Sequence, residues 1–137
     1  STMPKSTATA VEVLEAILNG VDIPWRSNAN RYVALHTGPL APGDSQSVNE
    51  ATYPGYARVA VPVEGWTGAG ATLTNSADVT FPARSGIGVE TITHFSLGVA
   101  ESGAGQVLYY EELDDAVIVT NLLRPYFPAG ALALTES

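Results

Sequence analysis

The sequence predicts an all-β fold with one short N-terminal helix. Three observations lead there. After residue 30, short runs rich in Val, Thr, Tyr and Leu recur at spacings of roughly 8–12 residues, each bounded by Gly, Pro, Asn or Ser. A helical period of apolar residues occurs once, before residue 25. The 13 glycines and 9 prolines among 137 residues supply the turns that many short strands need. This pattern fits a sandwich, a jelly roll or a barrel, and no internal repeat points to a solenoid.

The helix is expected over residues 8–19. Thr9-Ala-Val-Glu12 has the form of a capping box. Ala10, Leu14, Ile17, Leu18 and Val21 form one apolar stripe, and Gly20 suits a left-handed cap. Strands are then expected at 31–37, 56–63, 71–74, 78–81, 89–99, 106–113, 116–119 and 130–135, with 124–127 a further one. Residues 38–55, rich in Gly, Pro, Ser and Asn, read as a long irregular loop, and 65–70 and 101–105 as turns. The organisation expected is an N-terminal helical arm, residues 1–25, followed by a β-domain, residues 26–137. Pro24 and the polar run from Ser27 to Asn30 make the junction.

Composition narrows the function. Fourteen acids against six scattered bases give a net charge of -8, which repels phosphate backbones and anionic membranes. Nucleic acid and membrane are therefore not expected partners. No apolar stretch approaches the ~20 residues of a membrane span, and the N-terminus lacks the basic start and apolar run of a signal peptide. With no cysteine there is no disulfide and no thiolate metal site, which fits assembly in a reducing cytoplasm.

No catalytic or metal-binding pattern emerges. His36 and His94 each sit inside a predicted strand with no short-spaced ligand partner, so both read as hydrogen-bonded strand histidines. Glu111, Glu112, Asp114 and Asp115 form the densest charge cluster. Paired carboxylates can serve glycoside hydrolysis or calcium, but the spacing matches no calcium loop. A solvated hairpin end is the expected setting, and docking onto a basic patch its expected role. The glycine-rich stretch 65–70 lacks the lysine and the strand-turn-helix context of a phosphate loop. No metal, no cofactor and no catalytic residue are expected. Tyr53, Tyr56 and Trp66, placed in or beside turns, are candidate interface anchors, with sugar stacking the alternative.

Several segments taken together carry a resemblance: Asn30-Arg-Tyr-Val-Ala-Leu-His-Thr-Gly38, Tyr53-Pro-Gly-Tyr-Ala-Arg-Val59, Val79-Thr-Phe-Pro82, Ile92-Thr-His-Phe95, Ser102-Gly-Ala-Gly-Gln-Val-Leu-Tyr109 and Phe127-Pro-Ala-Gly-Ala-Leu-Ala-Leu-Thr135. In order and spacing, residues 30–135 resemble small structural proteins of tailed phages, described as capsid decoration, cement or tail-fibre-associated proteins. The resemblance is closest to the cement-protein branch known from a Bordetella phage. It implies a jelly-roll-like β-sandwich bound to the outer capsid surface of the virion, without catalytic residues. The implied partners are the phage major capsid protein and further copies of the chain, as dimer or trimer. A tail-associated receptor- or carbohydrate-binding module is the alternative. The residues expected at protein interfaces are Tyr53, Tyr56, Trp66, Glu111, Glu112, Asp114 and Asp115, together with Leu14, Ile17 and Leu18 of the helix.

Overall fold

A computed structural model describes residues 3–135. The helix α1 spans Thr7–Asn19. Its N-terminal cap is Ser6, in extended backbone, whose hydroxyl accepts from the Thr9 amide at 3.2 Å. The expected box of Thr9 and Glu12 does not form. Thr9 is buried and donates its hydroxyl to the Val107 carbonyl at 3.2 Å, so its side chain anchors the helix instead of capping it. At the other end Gly20 adopts φ 66°, as a left-handed cap requires, and its amide bonds back to the Glu15 carbonyl.

The strands form an antiparallel β-sandwich. β1 (Asn30–His36), β2 (Val59–Pro62), β6 (Glu90–Gly98) and β7 (Val107–Val119) make a four-stranded sheet in the order β2-β1-β6-β7. β3 (Trp66–Ala69), β4 (Thr72–Asn75) and β9 (Ala133–Thr135) make a three-stranded sheet, and β5 (Val79–Thr80) pairs with β8 (Tyr126–Phe127). The core lies between the sheets. Val33 and Leu35 of β1 pair with Leu97 and Phe95 of β6, and all four enter the core cluster with Phe81, Ile92, Val119 and Leu132. Each such side chain contributes about 1.5–3 kcal/mol on burial.

The opposite face of β1 is also closed. Ala34 and His36 are fully buried there because the 37–58 loop folds back over them. Thr37 and Ala51 amides bond the Asn49 and Leu35 carbonyls at 2.8 Å, which lays residues 49–51 alongside β1. Asn49 makes the bend with φ 54°.

Strand ends shift by up to three residues, as β2, β8 and β9 start later than expected, and two differences change the topology. Residues 66–69 form β3, paired in register with β4 from Trp66↔Asn75 to Ala69↔Thr72. Gly68 permits this: a Cβ there would lie 2.1 Å from the Thr72 carbonyl oxygen. The second difference is β7, which runs unbroken through the acidic cluster where a hairpin end was expected. Ile92 pairs with Val117 and His94 with Glu112, so Thr93 alone stands opposite Leu113 to Ala116. These four residues are a bulge in one continuous strand, and a bulge bends the chain without ending its pairing.

Residues 3–9 are stitched to the sheet. Ser6 donates to the Leu108 carbonyl and Tyr110 to the Pro4 carbonyl, each at 3.1 Å, while Met3 is 3% exposed within the core. Within residues 3–25 the helix beyond Thr9 has no buried residue, and its outer face stands clear of the β-domain.

Candidate docking surfaces

The helix presents its apolar face outward. Thr9 is its only buried residue, and Leu14, Ile17 and Leu18 are 58%, 71% and 75% exposed, flanked by Val11 and Val21. The polar side is the one held by the domain. Glu12 accepts from Gln106 Nε2 at 2.6 Å and from Trp25 Nε1 at 2.9 Å. Leaving three large apolar side chains of one stripe in water costs free energy that a partner surface would recover. The three helix residues singled out by period thus share one exposed face.

The tyrosines are placed differently. Tyr53 is buried, with its hydroxyl donating to the Pro82 carbonyl at 2.7 Å. Tyr56 is half-buried, donates to Glu50 at 2.6 Å and accepts from the Leu35 amide at 3.2 Å. Their rings meet edge to face at 5.5 Å, and Tyr56 stacks on Phe81 at 6.4 Å. Desolvation pushes the Tyr53 phenol up to about 12, and burial followed by the Glu50 carboxylate drives Tyr56 higher still. The anchor reading of Tyr53 and Tyr56 is corrected accordingly: the loop bearing them folds inward, and their rings fasten it to the core. Trp66 is half-buried against the same core and, with Trp25, Arg31 and Tyr109, lines a shallow pocket of about 250 Å³. Arg31 lies over the Trp25 ring at 5.0 Å.

The four acids all line one cleft of about 660 Å³ between β7 and residues 123–133. Its floor is apolar and includes the core residues Ile92, Phe95 and Leu132. Arg124 on the far side is the single base among its lining residues. The bulge places Asp114 and Asp115, both exposed, at the mouth.

His36 sits in a buried polar network. Its Nδ1 meets the Val48 carbonyl at 2.9 Å and its Nε2 the Ser96 hydroxyl at 2.7 Å. Burial lowers its pKa from the ordinary 6.5. Nearby, Arg58 holds Glu50 through Nε at 2.7 Å and Nη2 at 2.9 Å, and donates to the Ala100 and Gly103 carbonyls. These bonds tie the 37–58 loop to the sheet and to the turn after β6. Among the described residues, no three His, Asp or Glu side chains gather as a metal would require.

Sequence reasoning missed an apolar tip made by Ile87 (91% exposed), Val89 and Leu122. Leu122 holds a left-handed φ of 67°, and its amide donates to the Arg84 carbonyl at 2.9 Å. Arg84 is itself buried and donates to the Gly86 and Ile87 carbonyls, which fixes the loop. The Ser-Gly-Ile-Gly-Val run carries the signal, since glycine on both sides of an isoleucine suits a tight loop better than a core strand.

A family model described as podophage GP4 fiber I protein gp80 matches residues 4–135. No curated protein matches the chain.

Proposed function

The chain belongs to the family of the podophage GP4 fiber I protein gp80, a family of phage structural proteins, and from that premise we propose that it is a docking subunit of the virion. The observation that carries this reading is the outward apolar face of α1, whose Leu14, Ile17 and Leu18 the domain leaves uncovered. In this reading the protein acts by binding and not by catalysis, as the structural character of the family suggests.

The place we assign it is the outer surface of the head, as a decoration or cement protein bridging subunits of the major capsid protein. The sequence resemblance supports this placement, which is finer than the family match, and the match does not extend to a Bordetella phage cement protein in particular. Residues 3–9 fix the arm to the sheet while Leu14, Ile17 and Leu18 bind the shell or a neighbouring copy. Weak contacts repeated over a shell give large collective strengthening, and a small closed oligomer would present them symmetrically. Counting and locating the protein in purified particles tests the placement. Hundreds of copies on the head support it; a handful at the tail overturn it.

A second reading is a tail-associated module that binds a receptor glycan. The fibre description of the family favours it, as does the pocket lined by Trp25, Trp66 and Tyr109, since aromatic faces stack on sugars. Binding to host surface glycans, lost on Trp25→Ala, would support this reading over the first.

A further inference from the structure

We propose that the cleft between β7 and residues 123–133 receives an extended peptide segment of a partner virion protein in which Lys or Arg side chains flank large apolar ones. The proposal rests on the docking reading above and specifies a second contact, apart from the helix.

Three features of the cleft select that chemistry. Its volume, about 660 Å³, falls in the range of sites that enclose a small ligand or a few side chains. Its floor is apolar: Leu35, Ile92, Phe95 and Leu132 line a space large enough for an apolar side chain. Its charge is one-sided, with the exposed Glu112, Asp114 and Asp115 against Arg124. An incoming acidic or neutral polar segment would meet repulsion at the rim or lose hydration on the floor. A segment that alternates base and apolar residue satisfies both.

The bulge explains why the cleft stays open. With four residues opposite Thr93, β7 cannot lie flat against β6 at Leu113 to Ala116, and the displaced turn of strand carries two carboxylates to the mouth. Bulges commonly re-aim side chains beside binding sites. The helix face is an unsuitable occupant from a second copy. α1 carries Glu12 and Glu15 and no base, so it would bring like charge to the acidic rim.

The test uses the full chain and a fluorescein-labelled dodecapeptide of alternating Lys and Leu. Two control peptides replace Lys by Glu, or Leu by Ser. Anisotropy titrations at about 50 mM and about 300 mM salt read the electrostatic part. The Lys/Leu peptide is expected to bind about tenfold or more tightly than either control, and to weaken by a similar factor on raising salt or in the E112Q/D114N/D115N variant. These substitutions are at exposed positions and keep side-chain size, so folding is not at stake. Amide shifts in an NMR titration should centre on Ile92, Phe95, residues 111–117 and Leu132. Equal binding of the Lys/Ser peptide would reduce the cleft to a diffuse acidic surface and overturn the proposal. So would equal binding of the Glu/Leu peptide, no binding at millimolar peptide, or shifts centred on α1. Particle assembly separates this proposal from the one beneath it. If E112Q/D114N/D115N joins virions normally while L14S/I17S/L18S does not, the cleft proposal falls and the docking reading stands. If the protein is absent from virions altogether, the docking reading falls first.

Discussion

Arg58 grips Glu50 through two parallel N–H···O bonds at 2.7 and 2.9 Å, and the pair pins the 37–58 loop across the back of β1. The Arg58 side chain is 2% exposed and that of Glu50 16%. The remaining guanidinium donors reach the Ala100 and Gly103 carbonyls, so one side chain joins the loop to the turn after β6. Removing one partner of such a pair leaves a charge without compensation. Arg58→Ala should therefore cost about 3 kcal/mol, the low end of the range for buried pairs, because Glu50 keeps some solvent. Urea unfolding followed by tryptophan fluorescence measures it, and a loss under about 1 kcal/mol would show the pair to be peripheral.

Gly98 is a second point of close contact. A Cβ at this position would lie 2.1 Å from Gln46 Oε1 and 2.7 Å from the Gln106 carbonyl oxygen. Gln46 is fully buried and its Nε2 already bonds the Tyr32 carbonyl and the Ser96 hydroxyl, so it has little freedom to move aside. Gly98→Ala should destabilise by about 1–3 kcal/mol, as overpacking does. Shortening the obstructing side chain in the double variant Gly98→Ala/Gln46→Ala should restore part of that loss, which a double-mutant cycle reads directly.

His36 makes stability depend on pH in a stated direction. Burial, the largest influence, lowers its pKa, opposed by the Val48 carbonyl and Glu50. The unfolded chain takes up a proton near the ordinary value of 6.5 that the folded chain resists. Stability is thus full above that pH and falls as pH drops from 6.5 toward the lower folded value, by at most about 1.4 kcal/mol per pH unit. Other groups titrate over part of this range, so the difference between the protein and His36→Gln isolates the effect. The urea midpoint of the variant should change less than that of the parent between about pH 7.5 and 5.5.

The helix stripe separates docking from folding. L14S/I17S/L18S alters three exposed positions and should shift domain stability by no more than about 1 kcal/mol, while occupancy on particles drops at least tenfold. Loss of several kcal/mol instead would mean that these side chains belong to the core of the domain in solution.

Much of this arrangement was legible in the residues, and the failures share a physical origin. The period of 3.6 located α1 and its stripe, and alternation located β1 and β6, because those patterns are set within one element by the faces its geometry creates. β3 was hidden by Gly65, Gly68 and Gly70, which read as turn residues, although one of them serves close strand approach. The bulge at Leu113 to Ala116 resembles a turn in sequence, since both interrupt alternation. Tyr53 and Tyr56 stand in a loop with turn composition, and composition does not say that the loop folds inward over β1. The cleft escaped entirely, because its apolar floor includes Leu35, Ile92 and Phe95, remote in sequence from the walls until the sheet brings them together.

The clasp between the N-terminus and β7 constrains how the molecule can be made. Thr9 bonds the Val107 carbonyl across 98 residues and Gln106 bonds Glu12 across 94. Closing a chain loop of that length costs about 4 kcal/mol beyond a constant term, and it cannot happen while residues 106–110 are still unsynthesised. Met3 and the helix are synthesised about a hundred residues before the strand that seats them. Until β7 follows, the helix has no sheet to hold it, and the seat for residues 3–9 forms only when that strand is paired.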